Sequence, residues 1–379
     1  MTAFLRHQGA LELLKQRSRY RSLAPRAGHD FASNDYLGLA QSERLRKAAQ
    51  SALDRGVPVG AGGARLLRGN DDEHCLLEAE SAQTFGTERA LFMGGGFQAN
   101  MAIFATLPGH DDLILHDALV HASAHDGMRL GRAKSQPFAH NDPLAAELII
   151  KEWQANNTGR VWIAIETLYS MEGDIAPVAA FMALAQKYNC VLVADEAHAT
   201  GLHGPGGLGL SHEFSSNPNL LTLHTCGKGL GVSGALVCGH SVLIETLINK
   251  ARSFIFATAP SPLNAALVRA ALQSLAKDPD LRHRAHARLR HAHTEAARLC
   301  GLTDLQSQII PVIIGKDAPT MALATALQDQ GYDIRGIRPP TVPRNTARLR
   351  ISITGNVSDA TITDMFTTLA RLKERQTYD

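Results

Sequence analysis

The stretch Val191–Gly201, VLVADEAHATG, runs from four apolar residues into an acidic dipeptide and a glycine-terminated turn. A short apolar run bounded by turn residues reads as a buried strand. Asp195 then stands where the strand ends, and open α/β sheets place their ligand sites at the carboxyl ends of strands. Successive strand side chains point in opposite directions, so of Asp195 and Glu196 only one can face a ligand. His198, three residues on, is placed to contact the same ligand or to orient Asp195. The plainer alternatives are a strand-end cap or a metal site built from Asp195, Glu196 and His198. No HExxH or comparable ligand spacing supports the metal.

Outward from this stretch, short apolar runs alternate with amphipathic ones, the pattern of an α/β protein with a mostly parallel sheet. Strands are expected at Ala90–Met93, Leu113–His116, Val161–Glu166, Cys190–Ala194, Leu220–His224 and Gly234–Cys238. Helices are expected at Asp72–Phe85, Gln98–Thr106 and Pro177–Tyr188, and a long helical pattern follows Pro262. Further strands at Ile309–Ile314 and Leu349–Ile353, with helices at Pro319–Asp329 and Ser358–Leu372, predict a second, smaller α+β domain. The division expected is an N-terminal helix and arm over 1–35, a large domain over 36–285 and a small one over 286–379. A chain of 379 residues is long enough for that arrangement.

The second informative segment is Leu223–Gly234, LHTCGKGLGVSG, in which Lys228 sits among Gly227, Gly229 and Gly231 just past an apolar strand. Bare backbone lets a planar group approach the lysine closely. Its amine is a useful nucleophile when burial or neighbouring cations depress its pKa; a solvated lysine in a surface turn is the plain alternative. A carboxylate such as Asp195 could pair with a protonated pyridine nitrogen and keep that ring an electron sink. Gly94-Gly95-Gly96-Phe97 follows a strand and opens a helix, where free N–H groups suit a phosphate. The run from Gly204 to Gly209 also spells GxGxxG, but it holds Pro205 and no helix-forming run follows, so it reads as a mobile loop. Among His116, His121 and His125, the flat ring of His121 could stack on a cofactor. Arg335, Arg338, Arg344, Arg348 and Arg350 crowd the C-terminal region, and guanidinium grips carboxylate in a fork. Arg350 is the best candidate, because its apolar strand neighbours make an unpaired charge costly.

Composition narrows the classes. With 38 Lys+Arg against 36 Asp+Glu, the net charge of +2 gives no reason to expect a nucleic-acid partner. The five cysteines are scattered and form no CxxC pair, so neither a zinc ribbon nor a disulfide framework is indicated. No apolar run reaches membrane-span length. The N-terminus lacks a secretory apolar core, and its arginines (Arg6, Arg17, Arg19, Arg21, Arg26) suit an exposed helix or an organellar transit peptide. A cytoplasmic location is expected.

Eight ordered blocks then carry a resemblance: SNDYLGL (Ser33–Leu39), GGARLLRGN (Gly62–Asn70), GGFQAN (Gly95–Asn100), HDALVHAS (His116–Ser123), ETLYSMEGD (Glu166–Asp174), DEAHATG (Asp195–Gly201), TCGKGLGVSG (Thr225–Gly234) and IRPPTVP with ARLRI (Ile337–Pro343, Ala347–Ile351). From about residue 15 onward the chain resembles the α-oxoamine synthases, pyridoxal 5′-phosphate enzymes of the fold-type I aminotransferase superfamily. The resemblance implies Lys228 as the Schiff-base lysine and Cα base, Asp195 on the pyridine nitrogen, His121 stacked on the ring and His198 at the ring oxygen. It implies Ser170 beside the cofactor and Gly95, Gly96, Phe97 and Thr225 at its phosphate, with Thr258 reaching across from the partner of a homodimer. Asn34, His121 and Arg350 would hold the substrate carboxylate, with Arg338 close by. The IRPPTVP block is most similar to members of the biotin pathway that join L-alanine to a pimeloyl thioester, carried by coenzyme A or an acyl carrier protein. Sister members use glycine or serine with other acyl groups, and a PLP aminotransferase would keep the same lysine and aspartate. Two departures stand out: Gly95 replaces the serine usual there, and Pro260-Ser261-Pro262 replaces the usual Pro-Pro after Thr258.

Overall fold

A computed structural model describes residues 3–377, which divide into two units. The larger comprises Asn34–Ser170 and Ile175–Arg284, and the smaller comprises residues up to Ser33, Met171–Asp174 and the chain from Ala285 onward. Seven strands form the large sheet: β1 (Arg89–Met93), β2 (Leu113–Asp117), β3 (Lys134–Phe138), β4 (Val161–Glu166), β5 (Val191–Asp195), β6 (Leu220–Thr225) and β7 (Ala235–Gly239). Their order is β1-β7-β6-β5-β4-β2-β3. Only β7 runs antiparallel to its neighbours, β1 and β6. This is the fold-type I arrangement, a mostly parallel sheet with helices on both faces.

The reason lies in the strands themselves. Sheets covered on both faces need apolar residues at every position, not alternate ones. Val191, Val193, Leu221, Leu223 and Ala164 enter one core beside Ile103 and Phe104 of helix Gly96–Thr106. Leu192, Ala194, Ile163 and Ile165 enter the opposite core beside Phe181 and Met182 of helix Val178–Lys187. The strand β3 was not expected from the sequence. Its residues KSQPF are mostly exposed, pair only with β2 and include Pro137, so it is an edge strand with no apolar pattern to reveal it.

The small unit is built on a three-stranded antiparallel sheet, with Ala347–Ser352 between Arg335–Ile337 and Ile309–Gly315. Leu349 and Ile351 enter its core with Ile310, Leu323, Met365 and Phe366, and Phe31 from the N-terminal segment lies in the same core. A parallel pair of His29–Asp30 with Tyr332–Asp333 joins that segment to this unit. Among the described residues no helix is long and apolar enough to cross a membrane.

Behind β6, His224 is fully enclosed. It stacks on Phe85 with ring centres 3.8 Å apart, and its nitrogens meet Thr200 Oγ1 and Thr222 Oγ1, each at 2.9 Å. Burial lowers its pKa to about 3. An unfolded chain protonates this histidine below about pH 6.5, whereas the folded chain resists until near pH 3, so stability falls as pH drops through that window. Replacing His224 by Gln should flatten the fall of melting temperature between about pH 6.5 and 5. An unchanged slope would show that other groups set the acid sensitivity.

Candidate active site

Alternation along β5 puts Asp195 on the face of Val191 and Val193, toward helix Gly96–Thr106. From that helix Asn100 donates Nδ2 to Asp195 Oδ2 at 2.9 Å and to Ser123 Oγ at 3.0 Å, while Ala197 N donates to Asp195 Oδ1 at 3.0 Å. Glu166 ends β4 directly opposite Asp195 in register. Its Oε2 accepts from the backbone N of Ser170 at 3.1 Å, which fixes the buried Ser170. Asn100, His121, Glu166 and Asp195 line one small pocket with Phe104 and Val193.

Glu196 takes the other direction. Fully buried, it accepts from Thr167 Oγ1 (2.6 Å), Leu210 N (3.0 Å), Ser211 N (2.7 Å) and Ser211 Oγ (2.5 Å). Burial pushes its carboxyl pKa up, against the pull of those donors. The Gly204–Gly209 run, expected as a mobile loop, has a defined shape. It is a closed turn, with Gly209 N bonded to His203 O at 3.0 Å and Gly201 N to Gly207 O at 2.7 Å. Gly209 has a φ of +105°, and a Cβ there would lie 2.6 Å from the Glu196 carboxyl carbon, so only glycine fits.

Lys228 Nζ lies 2.9 Å from His198 Nε2. His121 is the N-cap of helix Ala122–Leu130, its Nδ1 2.7 Å from Ser123 Oγ and accepting from Ser123 N at 3.2 Å. Desolvation lowers its pKa, Asp195 opposes that and Lys228 adds to it, so all three share one electrostatic neighbourhood. Phe97 stands edge-on to the His121 ring at 6.3 Å. By the same alternation Thr225 closes β6 on the Asp195 face. Its Oγ1 lies 2.7 Å from where a Cβ on Gly96 would stand, at the first residue of helix Gly96–Thr106. Gly95, the N-cap, has extended backbone (φ 171°) and open space where a side chain would go. His116 and His125 pair with each other instead, their rings edge-to-face at 4.9 Å, and burial lowers the pKa of both.

Thr258 is exposed and bridges to Ala64. Asn34 Oδ1 accepts from Tyr36 Oη at 3.0 Å. In the small unit, Arg348, Arg350 and Ser352 share the strand face opposite Leu349 and Ile351. Arg348 pairs with Glu172 at 2.9 Å, whereas Arg350 donates to Ser352 Oγ at 2.8 Å. Arg338 is directed at Met321 Sδ and lies 3.5 Å from Tyr20 O. Arg335 is held by Asp333 at 2.7 Å, and Arg344 is exposed. Asn100, Tyr36 and Glu166 were not singled out from the sequence. Asn100 carried the one available signal, a polar residue in the otherwise apolar helix run ANMAIF.

The donor set suits pyridoxal phosphate. A helix start of bare N–H groups beside a threonine hydroxyl fits a phosphate. An oriented carboxylate fits a protonated ring nitrogen, and a lysine amine beside a histidine fits an aldehyde. Among the described residues no group of three or more His, Cys, Asp or Glu could hold a metal ion.

Comparison with known proteins agrees. The family model for aminotransferase class I and II matches residues 28–369, and the chain belongs to that family, as a PLP-dependent enzyme. It is 36% identical over 383 residues to the 8-amino-7-oxononanoate synthase of Geobacter sulfurreducens, covering 96% of this chain and 97% of that one. Two solved structures are similar at 28% identity. The serine palmitoyltransferase of Sphingomonas wittichii has a TM-score of 0.84 and covers 91% of this chain and 87% of its own. The 8-amino-7-oxononanoate synthase of Francisella tularensis has a TM-score of 0.75, covering 92% and 99%.

The two glycines at the helix start should behave oppositely. Gly95→Ser should leave cofactor affinity unchanged or tighter, because the space is open and serine is a good N-cap. Gly96→Ala should weaken cofactor binding, because its Cβ displaces the Thr225 hydroxyl. Titration of the cofactor-free protein reads both, and equal affinities would remove this helix start from phosphate binding.

Proposed function

We propose that the chain is an acyltransferase of biotin synthesis. It would condense L-alanine with a pimeloyl thioester, on coenzyme A or acyl carrier protein, releasing thiol and carbon dioxide and giving 8-amino-7-oxononanoate. The observation that carries the reading is the grouping of Lys228, His198, His121 and Asp195 at the carboxyl ends of β2, β5 and β6, in a chain whose curated relatives bear that synthase's name.

Bound pyridoxal phosphate supplies the electron sink that acidifies the Cα–H of an amino acid. The chain supplies the rest. Lys228 Nζ would hold the cofactor by its aldehyde carbon, and the same amine is placed to move the Cα proton of the amino acid. Asp195, held by Asn100 and Ala197 N, keeps a proton on the ring nitrogen by its negative charge. His121 would lie against the ring of the cofactor, and His198 would hydrogen-bond to its oxygen. Ser170, whose N–H is held by Glu166, would border the cofactor, while Gly95, Gly96, Phe97 and Thr225 would receive its phosphate. Within the large unit, Asn34 and His121 are assigned the substrate carboxylate. Thr258 would complete the phosphate site of a second copy. Exposed Val59, Leu66, Leu67 and Phe256 belong to the segments on either side of the Ala64–Thr258 bridge, an apolar surface that suits a homodimer. A cytoplasmic location is part of the same proposal. The likeness to a serine palmitoyltransferase supports a second reading, a sister enzyme using serine or glycine with another acyl thioester.

Turnover of alanine, glycine and serine with pimeloyl, succinyl, acetyl and palmitoyl thioesters separates these readings, and alanine with pimeloyl should give the highest kcat/KM. Transamination without thiol or carbon dioxide release would sink both. Lys228→Ala should abolish the borohydride-fixed cofactor and lower turnover by at least about 10²–10⁴-fold, the usual contribution of a general base. A fixed cofactor on Lys187 or Lys250 would displace the assignment. Phe256→Arg should weaken association in sedimentation, and a fully active monomer would contradict the dimer.

A further inference from the structure

We propose that Asn100 and Ser123 are positioning residues that hold His121 as the neutral imidazole with its proton on Nε2, so that the ring offers a ligand an N–H donor. The inference rests on His121 and Asp195 facing the cofactor and its substrate. Its basis is a run of hydrogen bonds whose direction is fixed at both ends. At one end the backbone N–H of Ser123 points at His121 Nδ1 from 3.2 Å, and an amide N–H can only donate, so Nδ1 must accept. At the other end the Asp195 carboxylate accepts from Asn100 at 2.9 Å, so the amide group facing it has to be Nδ2. The second proton of Nδ2 goes to Ser123 Oγ at 3.0 Å. A hydroxyl that accepts there spends its own single proton on His121 Nδ1, 2.7 Å away. Nδ1 thus receives two donors, and the proton of the neutral ring is left on Nε2. Among the described residues Nε2 has no hydrogen-bond partner, which keeps it open to a ligand.

Asn100 and Ser123 are 3% and 1% exposed, so neither can exchange its partner for bulk water. The helices that carry them, Gly96–Thr106 and Ala122–Leu130, are in close contact. A Cβ on Gly127 would stand 2.8 Å from Asn100 O and 3.1 Å from Met101 Cα, so a side chain there would push the helices apart and open the Asn100–Ser123 contact. The surroundings of the ring pull both ways. Desolvation disfavours the imidazolium, Asp195 favours it and Lys228 opposes it, as does His125 one turn along the helix, while Glu166 lines the same pocket. Within that balance the two donors on Nδ1 decide, because a proton on that nitrogen would face the N–H of Ser123. A donor at Nε2 suits the carboxylate oxygens assigned to His121, which a bare lone pair would repel.

The test has two arms. In the cofactor-free protein, nitrogen spectra of isotope-labelled histidine, assigned by the signal lost in His121→Gln, should show His121 protonated on Nε2 with Nδ1 bare. Asn100→Ala frees the Ser123 hydroxyl to accept from an imidazolium, and Ser123→Ala removes a donor to Nδ1, so each should raise the pH at which His121 takes up its second proton. Ser123→Cys, with a weaker donor, should fall between the wild type and Ser123→Ala. In the holoenzyme, Ser123→Ala should still carry the borohydride-fixed cofactor on Lys228, with KM for the amino acid up about tenfold, as for one weakened hydrogen bond to a charged group, and kcat less changed. Wild-type His121 protonated on Nδ1, or variants whose His121 titrates as in the wild type, would overturn the inference while leaving Lys228 in place. An altered titration with an unaltered KM would instead keep the tautomer and overturn the assignment of His121 to the substrate carboxylate beneath it.

Discussion

The two-residue alternation of β4, β5 and β6 governs this site. Because Val191 and Val193 must be buried under helix Gly96–Thr106, Asp195 has to follow them to that face, and Thr225 follows Leu221 and Leu223 in the same way. The helix that covers those residues brings Asn100 to the Asp195 carboxylate and presents its N-terminus beside Thr225. The packing that stabilises the sheet is thus the same packing that spaces the Asp195 carboxylate from the start of that helix.

The opposite face carries a different electrostatic solution. Glu196 would be intolerable in an apolar interior, yet it accepts four hydrogen bonds, three of them from Leu210 and Ser211 at the end of the glycine turn. Adjacent acidic residues therefore do unlike work. Asp195 is half-buried and lines the small pocket, whereas Glu196 is sealed and organises the chain behind it.

Much of this was legible in the residues. Continuous apolar runs announced a doubly covered sheet, and the strand-end aspartate and glycine-flanked lysine were the residues from which a cofactor site was expected. What stayed hidden had no local signature. The edge strand Lys134–Phe138 is polar because solvent lies along it, and Tyr36 looks like an ordinary aromatic until the fold brings it to His198, 162 positions away. The contact of the glycine turn with Glu196 had no signal in the turn itself, because the carboxylate accepts from Leu210 and Ser211 just beyond it.

The alternation has a consequence for how such a gene can change. Deleting one codon within Val191–Ala194 would leave the composition of the run almost intact, yet it would exchange the directions of everything upstream of the deletion relative to the acidic pair. Either the apolar residues would keep their cores and Glu196 would take the place of Asp195 at the pocket, or the dipeptide would hold and the strand would slip out of pairing with its neighbours. Point substitutions among Val, Leu and Ile at those positions are mild by comparison. Length, more than hydrophobic identity, is what this strand cannot vary.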